Sequence, residues 1–247
     1  MPWLAHLYTG LGAVVALAAT LDVLRGDYRG AFIWLGVQIA IDATDGILAR
    51  ALRVKEHLPH FDGARLDDII DYLTYVFIPV LFVLHAKLIE GPAAFWVGSA
   101  VLLASAYGFS QTAAKVKTTD YFFTGFPSYW NIVVLYMYLL QLSPLVNALV
   151  LLAFAVLVFV PLRYVYPSRT TALSGLTNAL AVAWGALLAW LVWRLPERPR
   201  AWILLSLTFP VYYFALSLWL DWQSRREGPL GSRGIGGPLG PPSARQR

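Results

Sequence analysis

The chain has 247 residues, of which 58% are hydrophobic, 15% aromatic and only 13% charged, with a mean hydropathy of +0.60. A soluble domain carries about a quarter of its residues as Asp, Glu, Lys and Arg, so this composition excludes a disordered chain and an ordinary soluble domain and points to an integral membrane protein. With no cysteine there is no disulfide framework, thiolate metal site or cysteine nucleophile, and the net charge of +5 comes from basic residues scattered between apolar runs, not from a basic face suited to nucleic acid.

Apolar stretches near the roughly 20 residues that cross a bilayer's hydrocarbon lie at residues 3–24, 31–49, 66–88, 93–114, 129–142, 145–166, 172–193 and 201–222. They predict an all-α fold, a polytopic membrane bundle of about eight transmembrane helices forming one domain over residues 1–222. The start, Met1-Pro2-Trp3, has no basic stretch and runs straight into the first span, which reads as a retained helix and not a signal peptide. From residue 223 to 247 the composition turns to Gly, Pro, Ser and Arg, which predicts a disordered tail. No long-period repeat and no Gly-rich phosphate loop after a strand pattern is visible, so solenoids, propellers and nucleotide-binding α/β domains have no support.

Eight spans put both termini on one side, together with the connections after spans two, four and six. That side carries Arg50, Arg53, Lys55 and Arg65, then Lys115 and Lys117, then Arg163 and Arg169, and Arg225, Arg226, Arg233, Arg245 and Arg247 in the tail. The other side has Arg25, Arg29, Lys87, Arg194, Arg198 and Arg200. By the positive-inside tendency both termini are expected in the cytoplasm.

Ionisable residues inside spans cost about 2.5–3.5 kcal/mol each at mid-bilayer on insertion scales and so default to functional candidates. Here they are grouped. The second span ends DATDGILAR, placing Asp42, Asp45, Gly46, Ala49 and Arg50 on one helical stripe, and the third begins GARLDDIID, placing Gly63, Asp67 and Asp71 on another. Four carboxylates converging at one membrane face repel one another unless protonated or neutralised by something doubly charged. All-oxygen ligands suit hard cations such as Mg²⁺, Mn²⁺ or Ca²⁺, and a two-metal centre is a known means of phosphoryl displacement. Gly46 and Gly63 are expected to allow close approach of a ligand, and Arg50 to hold a phosphate with its fork of donors. Asp68 lies off the acidic stripe and reads as a solvated or capping residue, and Asp22 and Asp221 as interfacial.

The string Asp42-x-x-Asp45-Gly46-x-x-Ala49-Arg50, then Gly63-x-x-x-Asp67-x-x-x-Asp71, resembles the signature of the CDP-alcohol phosphatidyltransferase family. The spacer of residues 51–62 is longer than the commonest family pattern, and Ala43 stands where Gly is often found. The long spacer, the stretch DDIIDYLTYVFIPVLF and the eight-span layout resemble the bacterial phosphatidylcholine synthase branch of that family. The resemblance implies a membrane-embedded catalytic core, Asp42, Asp45, Asp67 and Asp71 as ligands of divalent metal (two ions, Mn²⁺ or Mg²⁺), and Asp71 or Asp67 as the base. It implies Asp45, Gly46, Ala49, Arg50 and Gly63 as contacts to CDP-diacylglycerol, choline as acceptor, release of CMP, a homodimer, and a bacterial inner membrane with the site facing the cytoplasm. Alternatives are a relative using serine, inositol or glycerol phosphate, and a cation-coupled secondary transporter. The low basic content of the spans favours a cationic acceptor over a phosphorylated one.

Choline's quaternary ammonium has no hydrogen to donate and is held over aromatic faces. Tyr72 and Tyr75 follow the acidic stripe, and Tyr107, Phe109, Tyr121, Phe122, Phe123, Tyr129 and Trp130 surround the gap between spans four and five, expected on the same side; all are candidates, and the choline contacts are left unassigned. His57 and His60 flank Pro59 and are expected in solvent, His6 and His85 as hydrogen-bonded packing residues, and Lys115 and Lys117 as anchors or anion contacts.

Overall fold

The computed structural model describes residues 2–111, 122–160, 163–165 and 174–227, the backbone alone being described for 122–124, 163–165, 174, 220–221 and 223–227. The first hairpin consists of α1 (Trp3–Arg25) and α2 (Tyr28–Ala51). The Asp27 carboxylate starts α2 by accepting the Gly30 N–H at 2.9 Å, and Asp22 near the end of α1 accepts the Trp34 indole N–H at 3.0 Å. α1 buries Ala5, Thr9, Gly12, Ala16 and Ala19, a stripe of small side chains that lets α2 and the third span pack close against it.

The short α3 (Val54–His57) lies in the spacer, and the third span is built in three pieces: α4 (Gly63–Asp71), a π-helical segment (Tyr72–Phe77) and α5 (Ile78–His85). Asp62 caps α4 by accepting the Arg65 N–H at 3.1 Å, taking the capping role that the sequence left to Asp68, which is half-buried. Pro79 has no N–H to return to the preceding turn, and the helix widens just before it, with the Ile78 N–H reaching the Leu73 carbonyl. This changes the angle at which the side chains after Asp71 leave the helix.

The remaining helices are α6 (Ala93–Ser110), α7 (Trp130–Leu140), α8 (Pro144–Phe159), α9 (Ser174–Trp193), α10 (Arg200–Ser206) and α11 (Thr208–Glu227). Each of the eight apolar stretches thus holds a helix. Among the described residues six are long and apolar enough to cross a membrane, while α7 and α8, with 11 and 16 residues, are shorter apolar helices. The bundle is all-helical apart from an antiparallel ribbon of β1 (Phe122–Thr124) and β2 (Arg163–Val165), in which Phe122 faces Val165. Helix periodicity gives no sign of this pairing. It joins two interhelical connections, where non-helical backbone satisfies its polar groups by pairing. α11 continues to Glu227, and the rest of the expected tail, like Lys115, Lys117, Tyr121 and Arg169, lies outside the described residues.

The core gathers Val76, Phe82, Val101, Trp130, Met137, Leu151, Leu191 and Ile203, from most of the helices. At the end of the bundle away from the acidic residues, three cations are engaged locally: Arg29 lies over the Trp193 ring at 4.5 Å, Arg198 over Tyr138 at 4.6 Å, and Arg194 pairs with Glu197 at 2.5 Å. Gly125, before α7, has φ +88° and its missing side chain would collide with the Val158 carbonyl oxygen. Gly125→Ala is therefore expected to lower the thermal midpoint of the detergent-solubilised protein by several degrees, read by loss of the monodisperse size-exclusion peak after heating.

Candidate active site

The C-terminal half of α2 and the middle and end of α4 bring three carboxylates together: one oxygen from each of Asp42, Asp67 and Asp71 lies within 4.8 Å of the other two. All three residues are half-buried. Asp71 Oδ1 is buried and has no hydrogen-bond partner among the described residues. A buried carboxylate oxygen left unsatisfied is costly unless something outside the protein meets it, and an all-oxygen donor set of this charge fits a hard divalent cation.

The fourth acid, Asp45, is buried and stands outside that three-residue cluster. Its Oδ2 accepts the Thr9 hydroxyl of α1 at 2.7 Å, and one residue earlier Tyr8 Oη and Thr44 Oγ1 are 2.8 Å apart, so α1 fixes the rotation of α2 at the site. Asp42 Oδ2 in turn accepts the Tyr75 hydroxyl at 2.9 Å, from the π-helical segment. Arg50 is exposed and reaches back one turn, its Nη1 lying 3.3 Å from where a Gly46 side chain would begin. Ala49, between them, is half-buried. Gly63 is different from the sequence expectation of a ligand approach: its open side is filled by the His6 ring, whose Cε1 would be 2.6 Å from a Cβ there. His6 packs on Phe61 with ring centroids 4.2 Å apart, but its Nε2 is buried without a hydrogen-bond partner among the described residues, so only the packing half of that expectation holds. His85 Nδ1 is 3.2 Å from the Tyr28 hydroxyl, and His57 and His60 are exposed.

Beside Asp42 opens a cavity of about 460 Å³ between α2, α7, α8, α9 and α11. Asp42 is its acidic wall, Tyr75 and Tyr129 flank it, and Phe154, Trp184 and Tyr213 are among the apolar and aromatic residues that make up the rest. The deeper wall is pinned by a buried chain of hydrogen bonds: the Trp184 indole N–H donates to Tyr136 Oη at 2.9 Å, and Tyr136 Oη donates to Ser206 Oγ at 2.9 Å. A charged pole opening on an apolar chamber matches a substrate with a phosphate-bearing head and a hydrocarbon body.

No family model matches the chain. Among curated proteins it is 38% identical over 224 residues to the phosphatidylcholine synthase of Legionella pneumophila, covering 88% of this chain and 87% of that one. It is 37% identical over 227 residues to the phosphatidylcholine synthase of Pseudomonas aeruginosa, covering 91% and 92%. The chain belongs to the phosphatidylcholine synthase family. A third phosphatidylcholine synthase, from Borreliella burgdorferi, matches at 32% over 229 residues, covering 91% of this chain and 96% of its own. Similarity over nearly the whole chain means that α9 to α11, and with them one wall of the cavity, fall within the phosphatidylcholine synthase match as well as the acidic signature.

Sequence reasoning missed Thr9. Its signal was present, because Ala5, Thr9, Gly12, Ala16 and Ala19 recur at helical spacing as a small-residue face, with one hydroxyl at the level of the acids. As a residue that orients a site carboxylate, Thr9 is expected to be replaceable by Ser with little loss, whereas Thr9→Val leaves Asp45 unsatisfied. If the cluster holds a divalent metal, that variant should raise the metal concentration for half-maximal activity about tenfold, measured by metal titration of the transferase reaction.

Proposed function

We infer that the chain is a membrane-embedded CDP-diacylglycerol–choline O-phosphatidyltransferase, which condenses CDP-diacylglycerol with choline to give phosphatidylcholine and CMP. The observation that carries this reading is the Asp42–Asp67–Asp71 cluster, with an Asp71 oxygen unsatisfied among the described residues, set in a bundle whose relatives are phosphatidylcholine synthases. Asp42, Asp67 and Asp71 would hold divalent metal, Mn²⁺ or Mg²⁺, with Asp45 completing a two-ion set. Bound there, the metal would neutralise charge developing on the attacking and leaving oxygens of the phosphoryl transfer.

The chain's own groups supply the rest. An alcohol is a poor nucleophile at neutral pH and needs a base within hydrogen-bond reach. Asp71, whose Oδ1 has no partner among the described residues, receives the choline hydroxyl proton, with Asp67 one turn earlier as the other carboxylate able to do so. The freed oxygen bonds to the phosphorus that bears diacylglycerol, the bond from that phosphorus to the bridging oxygen breaks, and CMP leaves with that oxygen. Arg50, folded back over Gly46, would pair with the leaving phosphate, and Asp45, Gly46 and Ala49 would line the approach of the cytidine diphosphate portion. Gly63 serves the same pocket by letting α1 close over it through His6. The apolar cavity offers the diacylglycerol half a surface of matching polarity. A homodimer in a bacterial inner membrane, with both termini and the site at the cytoplasmic face, completes the reading.

The test is direct. Purified full-length protein given CDP-diacylglycerol, Mn²⁺ and labelled choline should form labelled phosphatidylcholine and an equal amount of CMP. Label transfer to serine, inositol or glycerol phosphate in place of choline assigns another acceptor, and cation flux without CMP release overturns the enzyme reading.

A further inference from the structure

The reacting hydroxyl of choline is three bonds from its nitrogen, so the trimethylammonium group lies within about 4 Å of the reacting oxygen. A site for it must therefore adjoin the carboxylates, and it must be built from aromatic faces, because the group offers no N–H. The aromatic side chains at that end differ in whether they line the cavity. Trp130 is fully buried and its indole N–H is bonded to Ser105 Oγ at 2.7 Å, and Tyr72 donates its hydroxyl to the Leu102 carbonyl at 3.0 Å. Neither is among the residues that line the cavity, whereas Tyr75 and Tyr129 line it together with Asp42. Their ring centroids are 6.1 Å apart with planes at 54°, so the two rings form a corner next to the acidic cluster.

Both sides of the corner are held in place. Tyr75 is 7% exposed, is tied through its hydroxyl to Asp42, and leaves the helix at the π-helical segment, a local distortion that re-aims side chains and recurs at functional sites. Tyr129 follows Ser128, which adopts φ +56°, a left-handed conformation that a non-glycine residue takes up only when its surroundings impose it. Those surroundings are visible. The Phe126 N–H donates to the Leu157 carbonyl at 3.0 Å, the Trp130 N–H to the Ser128 carbonyl at 2.8 Å, and Ser128 Oγ to Ser105 Oγ at 3.3 Å.

We propose that Tyr75 and Tyr129 form the subsite for the trimethylammonium group of the acceptor, and that Tyr75 is in addition a positioning residue for the Asp42 carboxylate. The proposal rests on the reading of the chain as a choline-using transferase and names the residues that select a quaternary ammonium. The cation meets the ring faces of the corner while its hydroxyl points along the Asp42 wall.

The experiment uses full-length protein with CDP-diacylglycerol and Mn²⁺, varying choline and ethanolamine, with tetramethylammonium as a non-reacting probe. Tyr129→Leu should raise KM for choline and the inhibition constant of tetramethylammonium about tenfold each, while KM for ethanolamine, which keeps its N–H donors, changes less than about twofold. Tyr129→Phe should restore choline use. Tyr75→Phe keeps the ring and loses the hydroxyl, so the choline KM should hold within about twofold while the Mn²⁺ requirement rises about three- to tenfold. Wild-type protein that uses choline, combined with an unchanged choline KM and unchanged tetramethylammonium inhibition in Tyr129→Leu, overturns the subsite and leaves the function standing. Equal losses for choline and ethanolamine in that variant overturn it too. Wild-type protein that ignores choline overturns the function and the subsite together.

Discussion

Asp71→Asn is expected to lower choline-dependent CMP release by about three orders of magnitude or more. On the proposed reading with Asp71 as the base, two losses combine in this one substitution: the group that would receive the hydroxyl proton, for which removal of a general base costs about 10²–10⁴-fold, and one of the negative charges that would hold the metal. The amide is nearly isosteric, so the bundle should survive. Indeed the metal-free variant is expected to melt at the same temperature as wild type or above it, because one of three mutually repelling carboxylates has been removed from a half-buried cluster. Activity lost with stability kept separates a catalytic carboxylate from a structural one. Asp68→Asn provides the comparison: it lies off the Asp67–Asp71 stripe and should stay within several-fold of wild-type turnover. Equal activity in Asp71→Asn and wild type would remove the basis for assigning chemistry to this cluster.

The second large effect is that of chelation. EDTA should reduce phosphatidyl transfer to background, and addition of excess Mn²⁺ or Mg²⁺ should restore it. The protein should remain folded throughout, since its core of Phe82, Trp130, Met137 and their neighbours is a large apolar cluster drawn from most of the helices and does not depend on an ion as a small zinc domain does. The ion nevertheless stabilises the state that binds it, by about 2.7 kcal/mol at 100 times its dissociation constant. Titrating Mn²⁺ into the metal-free protein should therefore raise its thermal midpoint in a saturable way. Asp42→Asn should abolish both the shift and the restored activity, since Asp42 both belongs to the cluster and accepts the Tyr75 hydroxyl. A midpoint that rises equally in Asp42→Asn would place the ion elsewhere.

Much of the molecule was legible in the chain. Eight apolar stretches became eight helical segments, because a residue in hydrocarbon must have its backbone bonded locally and only helix period satisfies that within one segment. What eluded periodicity was irregular: the π-helical turn ahead of Pro79, and the β1–β2 ribbon, which depends on two connections being neighbours in space. For the site, spacing placed Asp42 and Asp45 on one stripe and Asp67 and Asp71 on the other, and the structure keeps those stripes facing each other. It also divides them in a way spacing does not: Asp45 turns to Thr9, while Asp42 joins Asp67 and Asp71. Gly63, legible as a place of close approach, meets the His6 ring there.

By itself, then, the sequence determined that this is a membrane bundle with its few intramembrane acids gathered near the junction of two adjacent helices, because composition sets the solvent a segment prefers and covalent connectivity with a 3.6-residue period sets which side chains share a face. Tertiary packing decided which three carboxylates meet, which hydroxyls steady them, and that Tyr75 and Tyr129, distant in the chain, become two walls of one corner. Those contacts depend on the offset and rotation of one helix against another, which come from side-chain packing across the whole bundle and leave no period in any single segment.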